Sequence, residues 1–80
     1  MTKNEYLTKI KIEMLYAKKN FSVFREQVEI AEDLILKGFE EEKLNNPYNQ
    51  NSIRILSSFI TNGRVRNVIK LLQEVMKNNE

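Results

Sequence analysis

"KKNFS", Lys18 to Ser22, is the stretch on which the fold turns. An apolar repeat of unusual regularity runs through it. Leu7, Ile10, Met14, Ala17, Phe21, Phe24, Val28, Ala31 and Ile35 are spaced alternately by three and four. This is the a/d pattern of a heptad, held over about four repeats. No Pro or Gly interrupts residues 2–37, and Gly38 takes the next d position, where the stripe stops. If KKNFS stays helical, residues 3–44 form one long helix suited to coiled-coil pairing. If it breaks, segments 3–20 and 22–44 form a hairpin, because Asn20 and Ser22 can each cap a new helix. The heptad favours the long helix. Leu15, Tyr16, Val23, Ile30, Leu34 and Leu36 favour the hairpin, since a plain two-stranded seam would leave these off-stripe residues wet.

The flanks carry start and stop signals. "TKNE" places Glu5 three residues after Thr2, a capping-box signature ahead of the first apolar residue. "LNNPYNQNS", Leu44 to Ser52, gathers four Asn and the single Pro, and reads as a loop over residues 45–51. Asn51 or Ser52 then caps a third helix over 52–61, with Ile53, Leu56, Phe59 and Ile60 on one face. Asn62 and Gly63 tolerate the left-handed conformation that ends helices and are expected to supply it. A last helix over 64–77 carries Val65, Val68, Ile69, Leu72 and Met76 at helical spacing. No segment alternates at period two. The expected class is all-α: a small bundle of three or four helices in one domain.

An 80-residue chain has a thin stability margin, and such chains often lean on disulfides, metals or association. With no Cys and no His, disulfides and the common zinc ligands are closed routes. Self-association stays open. The expected seam is Leu7, Ile10, Met14, Phe21, Phe24, Val28 and Ile35, giving a homodimer. No apolar run approaches a membrane span, and the N-terminus has no signal-peptide core, so a cytoplasmic setting is expected. Abundant Lys, Asn and Ile with only two Ala suggest a low-GC bacterium, or its phage or plasmid.

The net charge of +2 hides a layout. Residues 1–25 carry +4, residues 26–42 carry −6, and residues 43–80 carry +4. Arg66, Lys70 and Lys77 align on the last helix, with Arg64 and Arg54 as further members of a candidate patch for an anion or an acidic partner. Glu74 lies near that patch, and no aromatic residue is interleaved with it.

Catalytic chemistry finds little to use. Triads need His or an equivalent base beside Ser or Cys, and phosphate loops need clustered glycines, whereas Gly38 and Gly63 stand far apart. Glu29 and Asp33 could share a helix face toward a hard cation, but such sites also recruit loop oxygens, so they read as an acidic surface. No catalytic residue, metal site or cofactor is expected.

The sequence therefore points to a non-enzymatic helical protein that acts by binding another protein. The alternative is a helix-turn-helix-like DNA-binding regulator built on "TNGRVRN". The small residue required at the helix crossing falls on Phe59 in one register, and Thr61 takes an apolar slot in the other. In size, charge, lack of cysteine and helix count, the chain also resembles the class II bacteriocin immunity family. That likeness implies a small, basic, cytosolic helical bundle.

Overall fold

A computed structural model describes residues 1–78. Helix α1 spans Lys3–Lys18, α2 Arg25–Glu40, α3 Pro47–Leu56 and α4 Gly63–Asn78, with a short 3-10 turn, Ser57–Phe59, between the last two. The class is all-α, and the described residues contain no strand. α1 packs chiefly on α4 and α2 on α3, while α1 and α2 touch less closely.

The heptad is broken at KKNFS, so the hairpin is the form adopted. The N–H groups of Lys19, Asn20 and Phe21 bond to carbonyls only three residues back, which tightens the chain out of the α-helix. Asn20 Nδ2 donates to the Tyr16 carbonyl at 3.3 Å. Asn20 therefore closes α1 rather than capping α2, and Ser22 caps nothing: the N-cap of α2 is Phe24, with no side-chain cap bond. The gain from breaking is burial. Folding α2 back lets one chain cover its own stripe, which a single helix could do only with a partner.

That stripe is the core. Ile10, Met14, Ala17, Val28, Ala31 and Ile35 are buried together with Leu44, Leu56, Val65, Val68, Leu72 and Val75. Of the expected dimer seam, Ile10, Met14, Val28 and Ile35 are thus spent inside the chain, and Leu7 and Phe21 are partly buried against the same core. Only Phe24 remains largely at the surface, 50% exposed. The off-stripe residues do the reverse of what was expected of them. Leu15, Tyr16, Val23, Ile30 and Leu36 stay exposed in the bundle, and Leu34 is half-buried.

The capping box at the start of α1 forms as expected. Glu5 N donates to Thr2 Oγ1 at 3.2 Å and Thr2 N to Glu5 Oε1 at 3.0 Å. Hydrogen bonds from the Thr2 backbone and side chain hold the Glu5 carboxyl below its ordinary value of 4.5.

Three sequence expectations are corrected between Gly38 and Gly63. The second helix ends at Glu40, not 44. The third begins at Pro47, so most of the expected loop 45–51 is helical and the true connection is residues 41–46. Proline lacks the N–H that the first helical turn leaves unbonded, and Asn46 provides the cap. Asn46 Oδ1 accepts from Asn49 N at 3.0 Å, while its Nδ2 donates to the carbonyls of Gly38 at 2.9 Å and Lys43 at 2.7 Å. Asn49 is fully buried. Its Nδ2 donates to the Leu44 carbonyl at 2.7 Å, and its Oδ1 has no hydrogen-bond partner among the described residues. Its amide occupies the space where a Cβ on Gly38 would stand, within 2.5 Å of Asn49 Cγ and closer still to Oδ1. Gly38 thus seats Asn49 against α2. Finally, neither Asn62 nor Gly63 is left-handed, since no described residue has positive φ. The third helix gives way to the 3-10 turn after Leu56, and Gly63 opens α4 in helical conformation.

Candidate interaction surface

The chain turns its third corner, from α3 to α4, on Phe59. This ring enters the core at 8% exposure and meets Phe21 edge-on at 5.3 Å and Phe24 at 5.4 Å between centroids. Phe59 thereby anchors the α1–α2 linker to the corner. The linker needs such an anchor because KKNFS closes α1 but supplies no side-chain cap for α2. Ile60 follows Phe59 directly and is 51% exposed, Tyr16 at the end of α1 is 43% exposed, and Val23 is 81% exposed. Tyr16, Val23, Phe24 and Ile60 therefore gather large apolar groups at one end of the bundle.

Asn62 sets the direction of α4. Its Oδ1 accepts from Arg64 N at 2.8 Å and from Val65 N at 3.4 Å, as an N-cap does. Starting α4 at Gly63 brings Arg64 against α1. There its Nη1 lies 3.3 Å from Glu13 Oε2, and its guanidinium stacks on the Tyr16 ring at 4.8 Å. Lys19 Nζ lies 5.0 Å from the same ring. Arg66 turns back along the chain, and its Nη1 donates to the Ile60 carbonyl at 2.6 Å. Both arginines of TNGRVRN brace the corner, and their charge rims its apolar residues.

The five candidate cations do not converge on one cradle. Arg64 and Arg66 meet at the corner. Lys70 lines a shallow groove between α1 and α4 with Lys9, Asn67 and Leu71, and the carboxylates of Glu13 and Glu74 line the same groove. Lys77 stands in the last turn of α4 and Arg54 in the last turn of α3. Spacing keeps Arg66, Lys70 and Lys77 on one helix face, but Arg64 faces α1 instead.

Sequence reasoning passed over Ile60 as a surface residue because helical spacing placed it with Leu56 and Phe59. The 3-10 turn is what rotates it outward: three residues per turn in place of 3.6 shift each later side chain around the axis. Tyr16 and Val23 carried a readable signal, since both lie off the stripe. No described helix is long and apolar enough to cross a membrane. No protein-family model matches the chain, and no curated protein or solved structure shows significant similarity to it.

Proposed function

We propose that the protein is a non-enzymatic interaction module that binds another protein through the corner of Tyr16, Val23, Phe24 and Ile60. One observation carries this reading: four large apolar side chains sit in or beside a linker, each at least two-fifths exposed, at the point where the fold is braced by Phe59. A small chain that must hide apolar area to stay folded leaves such a cluster open at a cost, and contiguous exposed apolar groups with a polar rim mark interaction sites. Aromatic residues and arginine are the types that dominate binding energy at protein interfaces. The Arg64 and Arg66 rim and the nearby Lys19 favour a partner with acidic groups around an apolar centre. A cytosolic location suits this reading.

The DNA-binding alternative draws support from the alignment of Arg66, Lys70 and Lys77. It is the weaker reading, because Arg64 is engaged by Glu13 and Tyr16, and Arg66 by a backbone carbonyl, where base-reading side chains need to be free.

The test places a photo-crosslinking phenylalanine analogue at Val23 in the source cell. A discrete protein adduct is expected, and it should disappear when Phe24→Ser and Ile60→Ser are added while helicity is kept. Adducts unchanged by those substitutions would defeat the proposal. Nuclease-sensitive adducts on DNA would transfer support to the alternative.

A further inference from the structure

The side of the molecule formed by α1 and α2 holds apolar surface that the corner does not use. Lys18 Nζ meets Glu32 Oε1 at 2.9 Å, with both side chains largely buried, and this pair marks the line where the two helices touch. On α1, Lys11 and Leu15 precede Lys18 by seven and three residues and so share its edge. Ile12 and Lys19 lie beside them on the outer face. On α2, Glu29 and Leu36 stand three before and four after Glu32 and share its edge, with Asp33 and Glu40 alongside. Leu15 is 54% exposed, Ile12 49% and Leu36 37%. A helix that is apolar on both sides is ordinarily covered on both. α1 covers Tyr6, Ile10, Met14 and Ala17 and leaves Ile12, Leu15 and Tyr16 open.

Charge decides what can cover this face. The open edge of α1 carries Lys11, with Lys19 just past its end, and the one carboxylate near it, Glu5, sits in the first turn and is held by Thr2. The open edge of α2 carries Glu29, Asp33 and Glu40; Arg25, in the first turn of the same edge, meets Glu29 at 3.1 Å, and Lys37 is the other cation of α2. Two α1 edges laid together would set lysine against lysine. A second copy related by a two-fold axis through the α1–α2 seam avoids this. It lays each basic α1 edge on the acidic α2 edge of the other chain, twice over, with Leu15 and Leu36 brought together between the charges.

We infer that a second copy of this chain covers the α1–α2 face, the basic–apolar edge of α1 (Lys11, Ile12, Leu15, Lys19) pairing reciprocally with the acidic–apolar edge of α2 (Asp33, Leu36, Glu40). This dimer differs from a heptad coiled coil because the heptad residues stay in each chain's own core. It shares only Lys19 with the corner and none of its apolar residues, so the Phe24→Ser and Ile60→Ser chain dimerises as the unaltered chain does.

Sedimentation velocity tests the pairing at roughly 100 µM, a concentration that populates even modest contacts. The unaltered chain is expected to be a dimer. Lys11→Glu with Lys19→Glu is expected to be monomeric, as is Asp33→Lys with Glu40→Lys, each with unchanged helicity by circular dichroism. An equimolar mixture of the two reversed chains is expected to restore the dimer, because both reciprocal contacts are then complementary again. Lys11→Glu alone is the milder variant if a double reversal fails to fold, and it should weaken the dimer about tenfold or more. An unaltered chain that stays monomeric, a dimer that survives either reversal, or a mixture that stays monomeric would each overturn the inference. Binding of a monomeric chain to anionic vesicles would overturn it in favour of a lipid surface.

Discussion

Two of the three corners of this bundle solve the same problem with opposite chemistry. Between α2 and α3 the chain turns on buried amides: Asn46 and Asn49 bind the carbonyls of Gly38, Lys43 and Leu44, and Asn49 packs where Gly38 has no side chain. Between α3 and α4 it turns on one buried ring, Phe59, and on surface cations that brace it from outside. A buried polar network tolerates little change, because each lost partner leaves a desolvated group unpaired. A corner braced at the surface can lose a brace to solvent at small cost. The α2–α3 corner therefore fixes the fold, whereas the α3–α4 corner leaves side chains exposed for another molecule.

The comparison breaks most sharply at Gly38. Gly38→Ala must drive the new Cβ into the Asn49 amide, and a cost of roughly 2–4 kcal/mol in chemical denaturation is expected from overpacking and displaced hydrogen bonds. Helix propensity alone would predict about 1 kcal/mol in the opposite direction, so the sign itself is informative. Adding Asn49→Ala should make room for the Cβ. The double variant is then less destabilised than the two single effects summed, by roughly 1 kcal/mol or more. Strict additivity would mean that the two residues are not in contact.

A smaller effect is expected at the other corner. Arg64→Ala removes an ion pair and a ring contact, both partly solvated, and should cost about 1 kcal/mol by thermal or urea unfolding. A loss as large as that of Gly38→Ala would erase the contrast between the corners.

The smallest change is expected at Gly63, and in the favourable direction. A Cβ there meets only Arg66 Nη2, at 3.4 Å, and the backbone is already helical. Gly63→Ala should raise stability by about 0.5 kcal/mol through the entropy of the unfolded chain. The left-handed turn expected from the sequence would have made the same change destabilising, so a measured loss would restore that turn.

What could be read in advance follows from how local each signal is. The capping box at Thr2 and Glu5 formed as expected because its groups lie within one turn of each other. Pro47 was misread because proline marks either a break or a first helical residue, and only the cap that Asn46 makes decides between them. The arginines of the corner were legible as surface cations. Their braces were not, since Glu13 lies 51 residues from Arg64 in the chain.

The sequence by itself determined the all-α class and, Phe24 apart, the apolar stripe from Ile10 to Ile35, and it left KKNFS open between a continued helix and a break. Each of these rests on periodicity or on groups a few residues apart. Only the tertiary structure decided that the stripe is covered by the chain's own helices, that Gly38 seats an asparagine, and that Ile60 faces outward. The physical reason is that an apolar face states a need for cover without naming the cover. Which surface meets it depends on helices distant in sequence, and the faces left over, at the corner and along α1 and α2, are known only once that choice is made.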